Sequence, residues 1–120
     1  MKNLKRLGMR SAYAFLAYLL QTSTAVAAET DFSGPLLEVR IDASGKGLLY
    51  IPPVNSGGHA LCRYSYNNHL LAFDTNTAGG KAMLRVARSA QIHKRQIRAV
   101  GTGACSIYTG IEDLNTIYVN

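Results

Sequence analysis

Tryptophan is absent from this 120-residue chain, cysteine occurs only twice, and Lys, Arg, Asp and Glu together make up 17% of it. That modest charge, set beside 48% hydrophobic residues, excludes a chain disordered by composition and a collagen-like one. The length leaves room for one small domain and none for a multidomain enzyme. No apolar stretch approaches the ~20 residues a membrane span needs. The three histidines, His59, His69 and His93, fall in no H-x-H, H-x-x-x-H or cysteine-coupled spacing suited to zinc. Gly101-Thr102-Gly103 is too short for a dinucleotide fingerprint, and no serine stands in a nucleophile-elbow context. No motif therefore calls for a cofactor.

The N-terminal segment has the three parts of a secretory signal. Lys2, Lys5, Arg6 and Arg10 make a basic start, Ala12 to Leu20 an apolar stretch, and Ala25-Val26-Ala27 a small-x-small cleavage site. The expectation is a cleaved signal peptide over 1–27, a single domain over 28–120, and export to the periplasm or the medium with no membrane span after cleavage. Removal of that leader also changes the charge. Four of the 13 basic residues leave while all seven acidic ones stay, so the net charge falls from +6 to +2. A generic basic-protein reading falls away with it, and nucleic acid is not the expected partner. What remains is uneven: Lys81, Arg85, Arg88, Lys94, Arg95 and Arg98 follow one another with no acid between them. Any surface helix needs a polar side, but such a run also offers a contact surface for an acidic partner.

Export bears on the cysteines as well. An oxidising compartment favours pairing Cys62 with Cys105. The bridge would close a loop of about 43 residues, for which chain entropy gives about 4 kcal/mol. A nucleophilic or metal-bound cysteine would need a neighbouring base or further ligands, and no such spacing is present.

Along the chain, Ala28 to Gly34 has no periodicity and reads as a mobile lead. Pro35 to Ile41 alternates as one half-buried strand, with Leu37, Val39 and Ile41 inward. Leu48 to Ile51 returns as the second strand of a hairpin, stopped by Pro52-Pro53. Cys62 to Tyr66 alternates again, which turns Tyr64 and Tyr66 inward beside the cysteine. Leu70 to Phe73 is a short apolar strand. Asn76 and Thr77 are both able to cap a helix over Lys81 to about Lys94, whose apolar stripe is Ala82, Met83, Val86, Ala87 and Ala90. Gln96 to Val100, Cys105 to Tyr108 and Asn115 to Val119 complete the strands. The fold class expected is mainly β with one amphipathic helix, an α+β arrangement. A small, partly closed antiparallel barrel with the helix plugging one end accommodates that inventory and leaves few open edges.

The helix Lys81 to Gln91, the basic turn after it, the strand Ile97 to Val100, Gly101-Thr102-Gly103-Ala104-Cys105 and the final Ile117-Tyr118-Val119 together resemble a known pattern. It is that of small exported bacterial proteins related to the B subunit of subtilase cytotoxin and other pertussis-like toxins, in which a lone helix feeds a strand, a glycine turn and a cysteine. The resemblance spans roughly Cys62 to Val119. It implies an OB-like barrel, a disulfide, glycan recognition and assembly of a homo-oligomeric ring. No glycan-contacting residue of that family is carried over onto a position here.

Three functional readings follow. The first is an exported, non-catalytic binding module that recognises a glycan or an envelope protein. Its contacts would come from the basic helix, Lys81, Arg85, Arg88 and Arg95, and from Tyr50 and Tyr108 near loops, where aromatic rings can stack on a ligand. The second is a small secreted nuclease-like hydrolase drawing on His59, His69, Arg63 and Glu112 for proton transfer and phosphate binding. Against it, the histidines stand on Gly- and Asn-rich loops, and Glu112-Asp113 reads as a solvated acidic loop. The third is electrostatic binding of an anionic polymer by the helix, with the steep salt dependence that entails.

Overall fold

A computed structural model of the chain describes residues 28–120, and the leader expected over 1–27 lies outside them. Six strands and one long helix follow in the order β1 (Asp31–Pro35), β2 (Glu38–Ile41), β3 (Lys46–Tyr50), β4 (Leu70–Asp74), α1 (Ala78–Ile92), β5 (Gln96–Gly101) and β6 (Leu114–Val119). They form two antiparallel three-stranded sheets, β1-β5-β6 and β2-β3-β4. The expected class, mainly β with one long helix, is what the described residues adopt.

Alternation sets the inner face of each sheet. On β5, Ile97 and Ala99 are buried while Gln96 and Arg98 are exposed. On β3 and β4, Leu49, Leu71 and Phe73 reach the interior, where they meet Ile51, Ala87, Ala90, Ile97, Ala99 and Leu114 in one continuous cluster. Each large member contributes about 1.5–3 kcal/mol by leaving water. The helix packs on β6, β4 and β2, so its apolar stripe serves both sheets. Thr77 caps it, its hydroxyl accepting from the Gly80 N–H at 2.9 Å. The helix therefore starts three residues before the expected Lys81 and stops at Ile92. Lys94, at φ 50°, turns the chain back toward β5.

Two places join the sheets. Only Leu36 and Leu37 separate β1 from β2, and the Leu37 N–H donates to the Tyr50 carbonyl at 2.8 Å, so the chain steps from one sheet into the other almost without a break. On the opposite side, the Ala72 N–H donates to the Glu112 carbonyl at 2.9 Å, a single parallel bridge between β4 and the segment leading into β6.

Several expectations need correction. The lead Ala28 to Gly34 is not a free segment: Asp31 to Pro35 pair with β5, and Thr30 is buried. Pro35 to Ile41 is not one strand, because the chain changes sheets inside it. Leu37 is 59% exposed and Ile41 40%, whereas Leu36 and Val39 lie against the core. Ala82, counted in the apolar stripe, is exposed. Cys62 to Tyr66 is not a strand either. It forms a turn and a 3-10 turn over Ser65–Asn67, with Tyr64 45% and Tyr66 70% exposed. Its backbone bonds go to loops: Arg63 N–H to the Ala60 carbonyl and Tyr64 N–H to the Gly110 carbonyl. Gly110, at φ 76°, lies under the Tyr64 ring, so close that a Cβ there would stand 2.2 Å from it. Cys105 to Tyr108 is likewise irregular, taken up by the Asp113 carboxylate, which accepts from the backbone of Ser106 and Ile107.

Candidate functional site

Pro52-Pro53 ends β3, and the chain that follows is held against the start of β4. The Ile51 N–H donates to the His69 carbonyl at 3.0 Å and the Val54 N–H to the Asn68 carbonyl at 2.9 Å. This pairing leaves Asn55-Ser56-Gly57-Gly58-His59 as an arch, with Arg63, Ser65 and Asn68 facing it from the next turn. Between them lies an open cleft of about 230 Å³.

Each wall is fixed from behind. Asn68 Nδ2 donates to Asn55 Oδ1 at 2.7 Å, which orients both amides and leaves the Asn55 amino group and the Asn68 carbonyl to the cleft. His59 Nδ1 stands 2.9 Å from the Ala60 carbonyl, a bond that puts the proton on Nδ1 in the neutral ring and leaves Nε2 as an acceptor. Arg63 donates from Nη1 to Thr30 Oγ1 at 3.4 Å, and its Nε is buried with no partner among the described residues. The cysteine next to it is tied by the expected bridge, Cys62–Cys105, with Cα atoms 6.0 Å apart. Tyr64 and Tyr66, on either side of Ser65, lie with ring centroids 5.6 Å apart on the adjoining surface.

Beneath the cleft wall sits Glu112, which overturns the expectation of solvated acids: Glu112 is 0% exposed and Asp113 6%. The Glu112 carboxylate accepts from Thr30 N–H at 3.0 Å, Thr30 Oγ1 at 2.6 Å, Ala60 N–H at 3.1 Å and Gly103 N–H at 3.3 Å. It thereby pins the start of β1, the end of the arch and the turn before Cys105 to one point. Gly101 lies against it so closely that a Cβ would fall 1.7 Å from Oε2. With its oxygens engaged in the interior, Glu112 is not available to the hydrolase set proposed from sequence.

The other expected contact residues lie elsewhere. Tyr50 and Tyr108 are half-buried on the β2-β3-β4 side. The Tyr108 hydroxyl donates to Asp42, whose other oxygen accepts from Arg40 Nε at 2.9 Å. Burial first, and the bond to Asp42 next, push the Tyr108 hydroxyl up to about 12, while the same bond and Arg40 hold Asp42 below the usual carboxylate range. Tyr50 leans on the His69 ring, centroids 6.1 Å apart. Lys81, Arg85 and Arg88 are exposed on one face of α1, and Arg95, also exposed, donates from Nε to the Asn120 carbonyl at 3.0 Å. Of the cleft residues, sequence reasoning grouped only His59 and Arg63, within the hydrolase set. The two turn-forming runs that build the cleft, Asn55 to Gly58 and Asn67-Asn68, were the available signal, but nothing in their spacing says that they face each other.

No protein-family model, curated protein or solved structure matches the chain.

Proposed function

We propose that this chain is an exported, non-catalytic binding module that takes a glycan in the cleft between the Asn55 to His59 arch and the turn carrying Arg63, Ser65 and Asn68. One observation carries the reading: two oriented side-chain amides, two serine hydroxyls, a half-buried arginine and an imidazole converge on one open cleft beside a pair of exposed tyrosines. Planar amides and hydroxyls match the paired donor and acceptor of sugar hydroxyl groups, and tyrosine faces stack on the apolar face of a sugar ring.

The fold we assign to it is an OB-like barrel akin to the pertussis-like toxin B subunits. Support comes from connectivity. The bent β1-β2 segment borders both sheets, α1 lies between β4 and β5, and the Ala72–Asp113 bridge brings β4 beside the entry to β6. Ring assembly and delivery to the periplasm or the medium belong to the same reading. The described residues include no helix long and apolar enough to cross a membrane.

The test is a glycan array probed with the folded, disulfide-bonded protein and with Asn68→Ala and Arg63→Ala variants. Binding to a defined set of glycans that both substitutions weaken about tenfold or more is the expected result. No retained glycan at high protein concentration, or retention indifferent to both substitutions, would overturn it.

A further inference from the structure

The face of α1 turned away from the core is cationic over most of its length. Lys81, Arg85, Arg88 and Ile92 recur at four, three and four residues, which places them in one stripe, and all four are exposed. Ile92 is 76% exposed, an apolar end to a basic row. At 1.5 Å per residue the stripe is about 16 Å long, the reach of roughly five residues of extended chain. No carboxylate among the described residues pairs with these cations. The two ion pairs present, Arg40–Asp42 and Arg98–Asp31, lie elsewhere.

Beside the C-terminal end of this stripe opens a groove of about 300 Å³. Pro35, Leu36, Leu37 and Ala90 supply its apolar part, and Gln91, Lys94, Arg95 and Gln96 its polar part. Gln91 stands three residues from Arg88 and is thus its neighbour on the helix surface. Leu37, left 59% exposed by the step between the sheets, borders the groove. Four cations in reach, Lys81, Arg85, Arg88 and Lys94, lead to one concave apolar seat.

We propose that this stripe and groove form a docking site for an acidic peptide segment carrying one large apolar side chain, the acids lying along α1 and the apolar residue seated against Pro35 and Leu37. Charge complementarity requires an anionic occupant. A second copy of this chain does not supply it. Its exposed carboxylates without a cation partner are Glu29 and Glu38, against four cations. A flat anionic bilayer would meet the basic face but cannot enter a concavity, and a purely charged polymer would leave Leu37 uncovered. An apolar seat at the end of a basic row selects a peptide that carries both features. This site lies on α1 and the β1-β2 step, apart from the cleft at Asn55 and Asn68, so it stands or falls independently of glycan binding.

The experiment measures fluorescence anisotropy of a labelled synthetic peptide, six glutamates interrupted by one leucine, with the folded protein. Controls are the same peptide with alanine for leucine, inorganic polyphosphate, and phosphatidylglycerol–phosphatidylcholine vesicles. Expected are binding that weakens steeply between 50 and 300 mM NaCl, a loss of about tenfold or more in the double variant Arg85→Glu/Arg88→Glu, and a loss of about tenfold for Leu37→Ser or for the alanine peptide. Circular dichroism verifies that these surface variants are folded. The proposal is overturned if the leucine peptide does not bind, if the alanine peptide binds equally well, if either set of substitutions leaves binding unchanged, or if polyphosphate or vesicles bind more tightly than the peptide.

Discussion

Glu112 is a charged side-chain type with no exposed surface, and its position is justified by four donors converging from three stretches of chain. A buried donor that loses its acceptor costs about 1–3 kcal/mol. Glu112→Ala would orphan the N–H groups of Thr30, Ala60 and Gly103 together, so the expected loss is about 3 kcal/mol or more, read as a fall in the urea midpoint at unchanged slope. Gly101→Ala should imitate it, because a methyl group there takes the place of the carboxylate oxygen. None of this was legible in the sequence. Glu112-Asp113 follows a glycine and looks like any acidic loop, since the donors that make burial tolerable come from residues up to 82 positions away. Tyr64 and Tyr66 misled for the opposite reason. Their alternation is real, but the backbone around them bonds to Ala60 and Gly110 rather than to a strand, so period two carries no facial meaning there.

At the level of elements the sequence was far more readable. Helix α1 announces itself by a capping residue and a stripe at helical spacing, both local signals that need no partner to be recognised. Thr77→Ala should therefore lower stability by about 1–2 kcal/mol, measured by thermal or urea unfolding, because the cap bond from Gly80 and the hydroxyl bond to the Asp74 carbonyl are lost together. β4, β5 and β6 were equally visible, their apolar runs bounded by Gly, Asn or Asp. β1 was not. Asp31-Phe32-Ser33-Gly34-Pro35 has almost no strand propensity, and it is a strand because β5 offers it a ladder. The step at Leu36-Leu37 was hidden by the same limitation. A chain that changes sheets keeps its hydrophobic content and loses its phase, so Leu36 turns inward where strict alternation from Ile41 names Leu37.

For the molecule as a whole, each sheet carries one carboxylate–guanidinium pair, Asp31–Arg98 on β1-β5 and Asp42–Arg40 at the end of β2. Hydrogen bonds from Arg98 to Asp31, and from Tyr108 and Arg40 to Asp42, hold both carboxyls below their ordinary value. A lowered carboxyl pKa adds stability that is complete above the unfolded value and is lost as pH falls through the folded one. The unfolding midpoint should thus be level from pH 7 to about 5 and drop below about 4. Asp42→Asn should flatten that drop more than Asp31→Asn, since the Asp31 pair is the more exposed and solvent screens it. The pairing of β1 with β5 also has a temporal side. Asp31 lies opposite Val100, so a chain made from its N-terminus waits 69 residues for that partner, on the order of several seconds at ribosomal speed. Through that interval β1 is an unpaired edge. Its serine, glycine and proline, poor material for a strand, are also poor material for pairing with a stranger, and the strand that waits longest for its partner is the one least able to join anything else.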